Sequence, residues 1–212
     1  MEELRPFGPS VCKFTMPDVI IDILNTFAEQ VISDQQQLEQ FDISNTLAGK
    51  VTHEYGVPPA VLNEHLEFFI SCAQQYYGSV KERRPDALPN DRLLVGVSQA
   101  WINSMFPGDF NPVHHHQGQC QLVGTGFLKV PDISSEHEKE TEGGQGDVSK
   151  GCLELLHGQA ELLCPHQLRI VPKVGDFYVW PAGVLHTVYP YKTEGERRSF
   201  AINITVKQLS QS

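Results

Sequence analysis

The chain has 212 residues, 40% of them hydrophobic, which is enough apolar material for one substantial core and predicts a single domain over 1–212. Sixteen basic residues against twenty-six acidic ones give a formal charge of -10, so the surface as a whole repels a phosphate backbone and generic nucleic-acid binding is not expected. No run approaches the ~20 apolar residues that cross a bilayer, and Met1-Glu2-Glu3-Leu4-Arg5-Pro6 lacks the basic start and apolar run of a secretion signal, so the expectation is a cytoplasmic protein with no membrane partner.

The first 88 residues read as a mostly helical support. From Pro17 to about Ile32, the residues Val19, Ile20, Ile23, Leu24, Phe27 and Val31 recur at spacings of three and four and share one helical face. After Pro58-Pro59, the residues Leu62, Leu66, Phe69, Ala73 and Tyr76 repeat that pattern. This second helix should end near Gly78 or in the solvated run Lys81-Glu82-Arg83-Arg84 ahead of Pro85. Between the two, Asp42 to Tyr55 is polar and aperiodic apart from Leu47-Ala48-Gly49.

Beyond Pro89 the texture changes to short apolar runs separated by turn residues, over 89–212. The expected strands are Leu93 to Asn103, Leu122 to Val130, Cys152 to Leu156, Leu168 to Val171, Phe177 to Trp180, Val184 to Val188 and Ser199 to Val206. Such a set suits a double-stranded β-helix, the jelly-roll or cupin-like barrel, giving a mainly β fold with N-terminal helices. The span Asp132 to Lys150 is charged, rich in Gly and Ser and almost free of large apolar residues, and reads as a mobile insertion. Cys12, Cys72, Cys120, Cys152 and Cys164 form no CxxC pair and are read as buried or half-buried free thiols.

Three sequence features carry chemistry. In His114-His115-His116, alternate side chains of an extended backbone share a face, so His114 and His116 together can offer two imidazoles to one metal while His115 points away. A surface histidine cluster gives the same triplet. Farther on, Gly175-Asp176 turns into the apolar strand Phe177 to Trp180, and Pro181 and Gly183 turn again into the strand that carries His186. This projects one more imidazole toward the barrel mouth, although a lone strand histidine is often a satisfied core residue. In the last strand, period-2 alternation sets Arg197, Ser199, Ala201, Asn203 and Thr205 on one face and Arg198, Phe200, Ile202 and Ile204 on the other. The apolar set should pack on the helices, and Arg197 should lie inside the barrel, where a guanidinium calls for a carboxylate; Arg198 is read as a surface arginine of the Glu196-Arg197-Arg198 turn. Trp101, Tyr178 and Trp180 could flank a substrate, but aromatic residues in strands are more often core and are read so here.

These residues resemble the Fe(II)- and 2-oxoglutarate-dependent oxygenases, and more narrowly the small 2OG-Fe(II) oxygenases of bacteria and their phages. The shared pieces are an Asn-Pro-x-His-x-His-x-Gly run at Asn111 to Gly118, Pro-x-x-Gly-Asp at Pro172 to Asp176, Pro-x-x-x-x-His at Pro181 to His186, and Arg-x-Ser-x-x-x-Asn at Arg197 to Asn203. Phe7-Gly8-Pro9 and Leu47-Ala48-Gly49 are also similar to that group. The resemblance implies Fe(II) held by His114, His116 and His186, with 2-oxoglutarate as cosubstrate, its far carboxylate on Arg197 and Ser199, and Asn203 beside it. It also implies O2-dependent hydroxylation of a C–H bond in a further substrate, with decarboxylation of 2-oxoglutarate to succinate.

Two features depart from that pattern. The usual facial triad is two histidines and one carboxylate, whereas His116 stands at the carboxylate position; Asp109 and Glu154 are the nearest acidic alternatives. The entry Gln119 to Gly126 is longer and more polar than the pattern, which bears on strand register. A cupin-type three-histidine metal enzyme that needs no 2-oxoglutarate, and a non-enzymatic jelly-roll binding module, are therefore retained as alternatives.

Overall fold

The computed structural model describes residues 8–44, 49–83, 93–133, 150–162 and 164–208. Helix α1 (Asp18–Ser33) begins directly after Pro17 and buries Ile20, Ile21, Leu24, Phe27, Ala28 and Val31 on one face. It ends where Asp34 turns extended, and the Asp34 carboxylate caps the next helix, α2 (Gln35–Phe41), by accepting from the amides of Gln36 and Gln37. The short α3 (Pro59–Leu62) and a 3-10 turn at Asn63–His65 lead into α4 (Leu66–Arg83), which buries Phe69, Cys72, Ala73 and Tyr76.

Two antiparallel sheets follow. In the larger the order is β1 (Cys12–Thr15), β8 (Asp176–Pro181), β5 (Leu122–Lys129), β10 (Arg197–Gln208), β3 (Leu93–Met105) and β2 (His53–Gly56). In the smaller it is β4 (Asn111–His114), β9 (Leu185–Val188), β6 (Leu153–Leu156) and β7 (Gln167–Ile170). The expected jelly-roll core with N-terminal helices is thus observed. All seven expected strands form, with ends shifted by a few residues. Three more strands complete the sheets: β1 and β2 come from the helical N-terminal portion, and β4 comes from the run that carries His114. The segment Asp42 to Tyr55, aperiodic in sequence, ends in β2 because four residues are too few for a period to show.

Each strand of the large sheet sorts its side chains by alternation. The outer face, with Phe177, Val179, Ala100, Ile102, Phe200, Ile202 and Ile204, packs against the helices in one apolar cluster. Gly124 lets this happen: a Cβ there would stand 2.5 Å from Phe177 Cζ, and the Phe177 ring meets Phe69 of α4 at 5.5 Å. The inner face holds a second cluster in which Val123, Phe127 and Trp180 meet Leu153 and Leu155 of the small sheet.

Arg198 corrects the sequence reading. It is 1% exposed, on the helix-facing side. Its guanidinium donates from Nε and Nη2 to both carboxylate oxygens of Glu196 (2.7 and 2.8 Å), from Nη2 to Glu29 Oε1 (2.8 Å) and from Nη1 to Asn25 Oδ1 (3.0 Å). Partners on α1 and in the turn, invisible to a local pattern, make burial tolerable. The five cysteines are free; Cys164 is exposed, against the expectation of burial, because the β6–β7 connection leaves it no packing partner. Phe7, Leu47, Ala48, Arg84 and most of the Asp132 to Lys150 insertion lie outside the described residues. Gly49 lies inside them, and it shows why a small residue stands there: a Cβ would meet Phe110 O and Pro112 Cδ at 2.6 Å, beside β4.

Candidate metal centre

The three histidines expected to converge do so. His114 ends β4 and sits directly opposite His186 of β9 in the antiparallel register, which brings their rings to 4.2 Å between centroids. His116 lies two residues beyond the strand, and its backbone amide donates to Ala182 O (2.9 Å), tying the triplet to the turn that precedes His186. The His116 ring is 5.3 Å from His114 and 5.2 Å from His186, and one nitrogen from each of the three lies within 4.8 Å of the others. His115 is exposed and turned away, where its Nδ1 accepts from the amide of Gln117, as alternation requires.

The tautomers are set by the surroundings. His114 Nδ1 faces Pro112 O at 2.7 Å and His186 Nδ1 faces Val184 O at 3.1 Å, so each ring donates through Nδ1 and leaves Nε2 with a free lone pair. His116 Nε2 is buried with no protein partner among the described residues. Burial, reinforced by the neighbouring imidazoles, pushes His186 down to about 3 and His116 to about 4; burial also lowers His114. All three rings are therefore neutral at pH 7, the protonation state that ligates a metal.

Neither acidic alternative joins them. Asp109 is buried in a turn of its own: Oδ2 accepts from the amides of Thr52 (2.8 Å) and Phe106 (3.0 Å), and Lys50 Nζ stands 3.4 Å from Oδ1. Alternation in β6 puts Glu154 on the face opposite Leu155, where Arg169 Nε (2.8 Å) and the Tyr189 hydroxyl (2.6 Å) hold it.

Arg197 is 1% exposed on the inner face of β10. Nε donates to Gly151 O (3.1 Å), Nη1 donates to Ser199 Oγ (3.3 Å), the Phe127 ring lies 5.2 Å from the guanidinium carbon, and Nη2 has no partner among the described residues. Burial brings its pKa down to about 10, which still leaves it charged at neutral pH. Such an unpaired buried cation is costly alone and is a ready receptor for an anion. Asn203 shares the face; its Nδ2 donates to Gln99 Oε1 (3.1 Å) and its buried Oδ1 has no partner among the described residues.

Three neighbours surround the imidazoles: Trp101 and Trp180, which the sequence offered as substrate-flanking rings while favouring core, and Glu54, which it missed. Trp101 of β3 stacks on His116 (5.7 Å, 28°), and Trp180 of β8 meets His186 edge-on (5.3 Å). Glu54 of β2 is buried on the same inner face as Trp101. The alternation Ala100 to Met105 was the available signal for Trp101, since it separates that ring from the helix-facing Ala100 and Ile102.

Comparison with known proteins agrees with this geometry. Residues 99–203 match the family described as "Putative 2OG-Fe(II) oxygenase", a segment that contains all three histidines, Arg197, Ser199 and Asn203. The chain resembles the 2OG-Fe(II) oxygenases in sequence and in fold. Among solved structures, a Pseudomonas putida prolyl-4-hydroxylase superposes with a TM-score of 0.57 at 13% identity, covering 93% of each chain. AviO1 from Streptomyces viridochromogenes Tue57 gives 0.58 at 14% identity over 93% of this chain and 90% of its own. A Trichoplax adhaerens prolyl hydroxylase, solved with a hypoxia inducible factor peptide, gives 0.52 at 12% identity over 92% and 83%. At these identities the likeness to the solved 2OG-Fe(II) oxygenases is one of fold. No curated protein matches the sequence.

Proposed function

We propose that the chain is a non-haem Fe(II)- and 2-oxoglutarate-dependent dioxygenase that hydroxylates a C–H bond of a further substrate with O2. The observation that carries this reading is the pairing of two receptors inside one barrel: three convergent neutral imidazoles, and an unpaired buried guanidinium on the facing sheet.

The residues fit the groups they would hold. His114, His116 and His186 supply three nitrogen donors, a set suited to a divalent first-row metal. Three neutral ligands leave the charge of such an ion uncompensated, which favours a dianionic chelating cosubstrate. Arg197 then receives the far carboxylate through Nη2, and Ser199, already bonded to Nη1, adds a hydroxyl. Asn203 lies on that face with its Nδ2 already given to Gln99. Iron with 2-oxoglutarate supplies the oxidising chemistry. The chain's part is to hold the imidazoles neutral and fixed, anchor the carboxylate, and exclude water with Phe127, Val123, Trp180 and Leu155.

The test is anaerobic calorimetry with Mn(II) standing in for Fe(II). One metal should bind per chain, 2-oxoglutarate should bind only to the loaded protein, and Arg197→Ala should remove cosubstrate binding while leaving metal binding intact. Equal affinity of wild type and Arg197→Ala for 2-oxoglutarate refutes the assignment. A second reading, a three-histidine metal enzyme without 2-oxoglutarate, is favoured by His116 standing where a carboxylate is usual; a loaded protein indifferent to 2-oxoglutarate supports it. A chain that takes up no metal belongs to the non-enzymatic class.

A further inference from the structure

We infer that Glu54, acting through Asn103 and Trp101, is a positioning residue for His116. The inference rests on the metal reading above and extends it to a strand outside the matched segment.

The three imidazoles are not supported alike. His114 and His186 are each locked through Nδ1 by a carbonyl two residues upstream, fixed by the strand itself. His116 lies past the end of β4, and its buried Nε2 has no partner among the described residues. Its edge meets the side chain of Gln119, an exposed loop residue; the His186 ring stacks on it at 5.2 Å and 13°, and the Trp101 indole at 5.7 Å and 28°. Trp101 is thus the ring on His116 that is not itself one of the three imidazoles, and the orientation of His116 depends in part on how firmly Trp101 is held.

Trp101 is held by a short buried chain across β3 and β2. The Asn103 amide has complementary partners at both ends in one orientation only: Oδ1 accepts from Trp101 Nε1 at 3.3 Å and Nδ2 donates to Glu54 Oε1 at 3.0 Å. Glu54 stands directly opposite Asn103 in the antiparallel register. Trp101, Asn103 and Glu54 are 8%, 9% and 5% exposed. The acceptor at position 54 decides which way the amide faces. Without it the Asn103 nitrogen has no acceptor, the amide is held by the indole N–H alone, and the anchor on Trp101 loosens.

The burial of a carboxyl here supports a role beyond packing. None of the ion pairs among the described residues involves Glu54, and burial, with Asp42 adding to it, raises the group to about 7. An apolar side chain of similar size would avoid that cost but leave Asn103 undirected. The relay needs an acceptor at that point, and a neutral one serves as well as a charged one.

Co(II) is the probe, because its d–d absorption reports the number and geometry of its ligands independently of turnover. Wild type should bind one Co(II) with a spectrum that Glu54→Gln reproduces, since a carboxamide oxygen still accepts from Asn103. Glu54→Ala should weaken Co(II) binding on the order of 10- to 100-fold, the usual effect of losing an outer partner of a ligand, and should change the band shape. Trp101→Phe keeps an aromatic ring in the core but removes Nε1–H. It should fold, lose affinity in the same direction and shift the same bands. Wild-type affinity and spectra in Glu54→Ala or in Trp101→Phe overturn the relay, as does a Glu54→Gln protein as impaired as Glu54→Ala. A wild-type protein that binds no Co(II) refutes instead the metal reading on which the relay rests.

Discussion

Replacing Glu54 with Gln should stabilise the metal-free protein, by an amount that grows with pH. Glu54 has its ordinary pKa of 4.5 in the unfolded chain and about 7 in the fold, raised by burial and then by Asp42. Below 4.5 both states carry the proton and the group costs little. As pH rises the unfolded state ionises first, so stability is lost through the window from 4.5 to about 7 and levels off above it. The difference between those two values, at about 1.4 kcal/mol per pH unit, is about 3 kcal/mol at pH 8. Gln cannot ionise, so it removes this slope while keeping the acceptor for Asn103. Urea unfolding in EDTA, at half-unit steps from pH 4.5 to 8, should show the two proteins nearly equal at the acid end and Gln more stable by about 3 kcal/mol at the alkaline end. Taking the difference cancels every other titrating group. A gap that is constant across the range, or that shrinks as pH rises, refutes the argument that the carboxyl is held in its neutral form.

Three further outcomes follow from the same geometry. Arg197→Met should leave the metal-free protein as stable as wild type or more so, because it removes an unpaired buried cation, yet abolish the stabilisation of about 2.7 kcal/mol expected from 2-oxoglutarate at a hundred times its Kd. Arg198→Met should cost about 1–3 kcal/mol, because the buried Glu196 carboxylate loses its two-point partner and keeps only the Lys129 ammonium (3.0 Å) and the Ser104 hydroxyl; urea melts with and without Mn(II) and 2-oxoglutarate separate the two arginines. Co(II) affinity should fall less between pH 7 and about pH 5 than it would for three histidines titrating at their ordinary 6.5, since burial lowers all three rings, His186 to about 3 and His116 to about 4. Gly124→Ala should destabilise by about 1–3 kcal/mol through collision with Phe177, as read from the unfolding midpoint.

The parts of this molecule that the sequence made legible are those set by local periodicity. Leu24, Phe27 and Val31 fall on one helical face, Arg197 and Phe200 on opposite faces of one strand, and His114 and His116 on one side of an extended run, all by counting residues. What escaped was decided by partners distant in the chain. Strands β1 and β2 are four residues each and exist because β8 and β3 offer them edges. Arg198 is tolerable in the interior because Glu29, 169 residues away, comes to meet it. Trp101 looked like core because its alternation shows which face it takes, not that His116 waits there from another sheet.

That limit bears on the one departure from the usual ligand set. With His116 in the place of a carboxylate, the nearby sequence offered Asp109 and Glu154 as replacements, and both prove committed elsewhere, one to the Thr52 turn and the other to Arg169 and Tyr189. One acid on the face of Trp101 is Glu54, connected toward the third imidazole by an amide and an indole. It does not touch the imidazoles, and burial raises it to about 7, so it is partly protonated at neutral pH and would offset only part of an ion's charge. The charge a divalent ion brings must then be met by what binds beside it. Arg197, placed to grip the far end of such a ligand and with its Nη2 unpartnered among the described residues, is the residue whose removal distinguishes a dianionic cosubstrate from any smaller anion: a short anion that cannot span to Nη2 would bind Arg197→Met as well as wild type.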